Sequence, residues 1–215
     1  MITSPGQELL AGWYAFCFRW GIMLDYMLDQ FPVRKDLQDG SPCSIRPPEA
    51  TDEEPFRAFH QVIPEREQLF IRNRIRDGSL FREWTSDPSF ETNLPLLAFV
   101  DGHLTAMALL YQRPGGWKRH VGKVSFLTHP EYHGLGLIDC LLEKIIEAAR
   151  HCGLSRLESE INGERETAIK ALQTAGFEEL VRLPRYIQDM DSEFHDYVLM
   201  GMELTPSFEN LGAGD

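Results

Sequence analysis

The stretch Thr128-His-Pro-Glu-Tyr-His-Gly-Leu-Gly-Leu-Ile-Asp-Cys-Leu-Leu-Glu-Lys-Ile-Ile-Glu-Ala-Ala-Arg150 follows an apolar run, residues 124–127, that stops at a proline. A tyrosine and a Gly-x-Gly pair, Gly134 and Gly136, come next, and then an amphipathic helix begins. A strand, a glycine-bearing turn and a helix start in this order aim helix N-terminal N–H groups at a phosphate. Glycine permits close approach of the backbone, and the helix dipole favours negative charge. The stretch therefore predicts a phosphorylated ligand.

Alternation and periodicity extend outward from this point. Residues 121–128 read as a strand, and the helix after the loop carries an apolar stripe of Ile138, Leu141, Leu142, Ile145, Ile146 and Ala149. Gly153 is placed to cap it, residues 155–161 read as a strand, and residues 164–175 as a short helix stopped by Gly176. Residues 177–188 and 194–204 form a closing hairpin around a turn at 189–192. Upstream, residues 96–111 are two β-rich runs around Asp101-Gly102, a hairpin signature. Residues 44–48 read as a first strand. Asp52-Glu-Glu-Pro starts a helical region that runs to Ile75 and divides near Pro64. Residues 36–48 look like a connector, residues 7–31 one helix with an aromatic face (Trp13, Phe16, Trp20), and residues 205–215 a loose tail. The expected organisation is an N-terminal helical extension with connector over 1–43, one domain over 44–204 and the tail.

The 215 residues carry a net charge of −12, and 43% of them are hydrophobic, as in a globular protein. The acidic balance, with seven acids and no Lys or Arg over residues 187–215, argues against nucleic-acid binding and mildly favours a cationic substrate. The four cysteines form no C-x-x-C pair, and residues 1–7 have no basic n-region. A reducing cytoplasm with free thiols is expected. The histidines show no ligand spacing, so no metal site is expected. Arg19 interrupts the apolar stretch 9–24, which falls short of the roughly 20 residues of a membrane span. Its helix is expected to dock on the domain or on a second copy in a homodimer, with no membrane partner. Gly134-Leu-Gly136 lacks the third glycine and the early βαβ unit of a dinucleotide fingerprint.

Four segments in order resemble the GCN5-related N-acetyltransferase (GNAT) family. These are Ser44-Ile-Arg-Pro-Pro-Glu-Ala-Thr-Asp, His129-Pro-Glu-Tyr-His-Gly-Leu-Gly-Leu-Ile, Ala168-Ile-Lys-Ala-Leu-Gln-Thr-Ala-Gly-Phe177 and Asp196-Tyr-Val-Leu-Met-Gly-Met-Glu-Leu204. The resemblance implies an α/β (α+β) fold with a mixed, mostly antiparallel central sheet flanked by helices. It implies acetyl-CoA or another acyl-CoA as co-substrate, and a small amine, amino acid or protein lysine as acceptor. Backbone N–H groups of His133, Gly134, Leu135, Gly136, Leu137 and Ile138 would hold the pyrophosphate. The free edge of Phe126, Leu127 and Thr128 would pair with the pantetheine amides, and an N–H at Phe126 or Leu127 would polarise the thioester carbonyl.

Three positions depart from the family pattern. His133 stands where Arg or Gln is usual, and Ile138 where Gly or Ala is usual. Leu172 stands where many members place the tyrosine that protonates the leaving thiolate. Tyr132, Tyr186 or Tyr197 would have to supply that acid, or the thiolate leaves unassisted. Glu160, sharing a strand face with Glu158, is the candidate base, since its strand splays from residues 121–128 in this fold; His120 is the next candidate. His195 and Asp196 are candidates to line the acceptor slot. The departures also motivate an alternative: a module of the same fold that senses acyl-CoA without turnover.

Overall fold

A computed structural model describes residues 28–64, 67, 79–86, 90, 92–113 and 115–205. The helix expected over 7–31, its homodimer role and the tail after Thr205 lie outside the described residues, apart from Leu28 to Phe31.

Eight strands form one sheet in the order β1-β2-β3-β4-β5-β6-β8-β7. They are β1 (Val33–Asp36), β2 (Pro42–Arg46), β3 (Asn93–Val100), β4 (His103–Gln112), β5 (Val121–Thr128), β6 (Arg156–Asn162), β7 (Glu178–Gln188) and β8 (Phe194–Glu203). The helices are α1 (Glu53–Val62), α2 (Ser79–Ser86), α3 (Leu137–His151) and α4 (Glu166–Thr174). Every strand pair is antiparallel except β5 with β6. The mixed, mostly antiparallel sheet flanked by helices matches the expected fold class.

Two stretches differ from the sequence reading. The stretch read as a connector folds: β1 and β2 pair from Val33↔Ile45 to Asp36↔Pro42, around Gly40 at φ 83°. A four-residue edge strand with only Val33 and Lys35 half-buried on its inner face gave little periodicity to read. Of the helical region 52–75, α1 ends at Val62 with Ile63 extended, at the division expected near Pro64, and beyond Pro64 only Glu67 is described before α2, an element the sequence reading did not assign.

Local chemistry explains the elements that position the loop. Asp101 and Gly102 both sit at positive φ, as the tight β3–β4 turn requires. The Asp52 carboxylate, 4% exposed, takes the Arg46 guanidinium fork at 2.6 and 2.8 Å, which ties β2 to the start of α1. Helix α3 ends in a Schellman motif: Leu154 N–H donates to the Ala149 carbonyl and Gly153 N–H to that of Arg150, with Gly153 at φ 72°. Its stripe buries Leu137, Leu141, Leu142, Ile145, Ile146, Ala148 and Ala149. Leu137 therefore holds the inward place at the first turn that the periodicity gave to Ile138, which is half-buried at the core's edge.

The one parallel contact is short. β5 and β6 pair only at Val121↔Arg156, Gly122↔Leu157 and Lys123↔Glu158, and then splay apart as expected for this fold. A Cβ on Gly122 would lie 2.7, 2.8 and 2.9 Å from side-chain atoms of Leu154, Leu157 and Leu110. All three leucines are at most 2% exposed and cannot swing away. Gly122→Ala should therefore destabilise the protein by about 1–3 kcal/mol through overpacking, read as a lower midpoint in urea unfolding; an unchanged midpoint would refute this packing account.

Candidate active site

The splay of β5 from β6 opens into a cleft of about 400 Å³. One wall is the β5–α3 loop and the first turn of α3. The other is α4, through Thr167, Lys170, Ala171 and Thr174 at helical spacing. Its far end is closed by Asn162, Glu164, Arg165, Glu67, Asp189 and His195.

Backbone direction along β5 follows from two hydrogen bonds. Ser159 Oγ donates to the Val124 carbonyl at 2.9 Å, so Val124 turns its polar groups toward β6. His129 N–H donates to Thr105 at the start of β4. Alternation then turns the N–H and C=O of Phe126 and Thr128 into the gap, and those of Leu127 toward Met107 of β4. The Thr128 carbonyl lies 3.3 Å from His133 Nε2, which donates to it in that tautomer. Phe126 is thus left presenting a donor and an acceptor to the gap. Of the two N–H groups named from sequence, that of Phe126 faces the gap.

The loop has the geometry of a phosphate cradle. Gly134 and Gly136 adopt φ 79° and 82°, conformations that other residues adopt only under strain. A Cβ on Gly134 would meet nothing within 4 Å, which leaves its peptide open to the cleft. Gly136 caps α3 with no side-chain hydrogen bond, so the first N–H groups of that helix have no side-chain cap. The Leu135 carbonyl is turned away and accepts Gln38 N–H at 3.2 Å. These features, with Phe126 and Thr128 lining the same space, fit an extended amide chain that ends in a pyrophosphate.

The residues singled out from sequence fall into three groups. Phe126, Thr128, His133, Gly134, Gly136, Leu137 and Ile138 line the cleft; Leu127 and Leu135 do not. Glu160 lies on the opposite face of the sheet, half-exposed, with its carboxylate 2.5 Å from Lys123 Nζ. Glu158 on the same face pairs with Lys118 at 3.3 Å. Tyr197 shares that region: burial first, then the negative charge of Glu160 and Glu158, hold its phenol above the ordinary value. Tyr186 packs on it with ring centroids 5.7 Å apart and is exposed. His120 is exposed just before β5 begins, at the end away from the loop and eight residues from Thr128, roughly 26 Å along an extended strand.

Gln38, the Arg165–Glu67 pair and the two carboxylate partners of His195 escaped the sequence reading. Gln38, from the β1–β2 turn, backs the loop: a Cβ on Gly136 would lie 3.3 Å from its amide nitrogen. Arg165 donates to Glu67 at 3.1 Å across the cleft's far end. His195 lines the cleft with both ring nitrogens held by carboxylates, Nδ1 by Glu164 at 3.0 Å and Nε2 by Asp189 at 2.8 Å. His195 itself was named as a candidate, but its partners were not, since Asp189 and Glu164 reach it from separate turns. Among the described residues no cluster of three or more His, Cys, Asp or Glu is arranged to hold a metal, and no helix is long and apolar enough to cross a membrane.

Comparison with known proteins agrees with this geometry. Over 80 residues the chain is 29% identical to the L-amino acid N-acyltransferase MnaT of Escherichia coli (strain K12); the match takes in 35% of this chain and 46% of that protein, so it spans about half the relative's length. Among solved structures, the GNAT domain of S. lividans PAT superposes with a TM-score of 0.62 at 19% identity, covering 80% of this chain and 96% of that one. The ribosomal-protein-alanine N-acetyltransferase of Brucella melitensis gives 0.63 at 21% identity, covering 74% and 99%. The structure of yncA from Salmonella typhimurium with its cofactor acetyl-CoA gives 0.59 at 17% identity, covering 76% and 94%. At these identities the structural likenesses establish the fold. The model of the acetyltransferase (GNAT) family matches residues 53–177, more than half of the sequence. The chain belongs to the GNAT acetyltransferase family, whose co-substrate is acetyl-CoA and whose members acylate amines.

Proposed function

We propose that the protein transfers an acetyl or other short acyl group from acyl-CoA to a primary amine by direct attack, with residues 44–204 as the catalytic unit. The observation that carries this reading is the gap between β5 and β6, where Phe126 presents an N–H and a C=O in line with the Gly134–Gly136 loop. Pantetheine amides would complete the missing strand, and the Phe126 N–H would stabilise the charge that develops on the thioester oxygen. The MnaT likeness, partial as it is, makes the amino group of an amino acid one candidate acceptor beside small amines and protein lysines. The protein's own acidity suits any of these cations.

The amine would approach from the face opposite the cleft, where Glu158, Glu160, Tyr186 and Tyr197 gather. Glu160 is our choice of base. It borders the open part of the gap, and Lys123 holds its carboxylate at the rim. Tyr186 and Tyr197 would shape the slot for the amine's apolar part. We also place the protein in a reducing compartment such as the cytoplasm: Cys43 and Cys152 are buried free thiols, and burial pushes the Cys152 thiol up to about 12.

Purified protein should release CoA from acetyl-CoA when given a suitable amine from a panel of amino acids, polyamines and lysine peptides. Glu160→Gln should lower kcat by about 100-fold, within the range of general acid–base contributions, while acetyl-CoA binding measured by calorimetry persists. An unchanged kcat removes Glu160 from the mechanism. Binding without release across the panel would favour the acyl-CoA sensor instead. Gly134→Val tests the loop separately. Left-handed strain of about 1–3 kcal/mol should lower the stability of the fold by about that amount and, by moving the loop, weaken acetyl-CoA binding of the still-folded protein about tenfold. Undiminished affinity would show that the loop does not hold the phosphates.

A further inference from the structure

The geometry points to His195 as the acid that protonates the departing CoA thiolate, in the role that Leu172 leaves without a tyrosine. This rests on the acyl-transfer reading above. Leu172 is fully buried and belongs to the core, so no donor can come from that position. Of the tyrosines named as substitutes, Tyr132 also lines the cleft but stands edge-on to His129 at the loop, 5.3 Å between ring centroids, where the pyrophosphate would sit, while Tyr186 and Tyr197 pack on each other and do not line the cleft. His133 has its Nε2 at the Thr128 carbonyl. His195 lines the same cleft as the loop and Phe126, and its side chain is only 15% exposed.

Its two carboxylate contacts are unequal. Asp189 is 5% exposed and also accepts backbone N–H groups of Asp191 and Glu193 at 2.9 Å each, so it is locked in the β7–β8 turn. Glu164 is 69% exposed on the loop before α4. The Nε2 contact is therefore the fixed anchor, and the Nδ1 contact is the one an incoming group displaces. Asp189 is a positioning residue and Glu164 the loose partner. Among the described residues, the other charged groups at this end of the cleft include the Arg165–Glu67 pair, with Lys170 on α4. The hydrogen bonds to Asp189 and Glu164, in that order, hold the imidazole above its ordinary pKa and so favour the doubly protonated ring.

The step balances as follows. The amine lone pair forms the C–N bond, and the C–S bond breaks with its electron pair on sulfur. The Nδ1 proton of the imidazolium passes to that sulfur, giving CoA thiol and a neutral imidazole. The ring regains a proton from solvent at the exposed Glu164 side. The proton lost by the amine goes to Glu160 and then to water.

The test is the pH dependence of kcat for the full chain with acetyl-CoA and its best amine. In the wild type, kcat should fall on the alkaline side as the imidazolium loses its proton. His195→Gln should lower kcat by about 100-fold, abolish that alkaline limb and leave KM for acetyl-CoA within about threefold. Asp189→Asn should move the limb to lower pH, a shift that a purely structural role would not produce. A His195→Gln variant with kcat near wild type, or with the limb intact, overturns the assignment and leaves the acyl-transfer reading standing. A wild type that releases no CoA with any amine overturns that reading and this one with it. An NMR titration of wild-type His195 gives an independent measure even if the variants do not fold: a ring already neutral at pH 7 overturns the proposal.

Discussion

Two neighbouring parallel strands that bond for only three residue pairs impose the constraint around which this site is built. β5 is held on its other side by β4 over seven pairs, and β6 by β8 over seven, so each stays straight in its own half of the sheet as the two diverge. Gly122 lets three leucines close over the joined end. Beyond it, backbone N–H and C=O groups face across a gap, and such groups require partners. Ser159 satisfies the Val124 carbonyl and His133 that of Thr128, which leaves Phe126 with both its N–H and its C=O turned to the gap. A sheet that splits in this way asks for an extended amide-bearing molecule.

Much of this was legible because it is local. The Asp101-Gly102 turn, the α3 stripe, the Gly153 cap and the glycine pair at 134 and 136 each encode a conformation within a few residues. What was not legible depends on distant partners. Gln38 reaches the loop only because β1 folds back on β2, and Lys35 then ties that hairpin to Glu143 of α3 at 2.9 Å across 108 residues. The pairing of Arg165 with Glu67 spans 98 residues. Ile138 shows a subtler limit: the stripe's period was read correctly, but at the first helical turn the inward place passed to Leu137, as helix starts are where phase is least fixed.

The departure at His133 has a physical counterpart. With Nε2 engaged at Thr128, this side chain shapes the loop from within, where an arginine would offer a guanidinium to the ligand. Attraction for the pyrophosphate then rests on backbone N–H groups and the α3 dipole, short-range effects that need close contact. Asp139 at the first turn opposes them, and Lys170 on the facing wall offsets part of that opposition.

Long-range and short-range electrostatics therefore favour different substrates. A net charge of −12 repels a polyanionic nucleotide at a distance and attracts an ammonium group. Screening limits each charge's reach to about a Debye length of 8 Å in physiological salt, so a molecule seated against the loop feels chiefly the groups that line the cleft and little of the distant acidic surface. At the loop the fixed N–H groups face one carboxylate, Asp139; the others lie farther off, Glu67, Glu164 and Asp189 at the far end of the cleft and Glu158 and Glu160 outside it. The two sets of charge are separated by the same open edge that divides β5 from β6. In the proposed reaction, a single break in hydrogen bonding would thus both admit the pantetheine arm and keep the Gly134–Gly136 turn apart from the acids proposed to meet the amine.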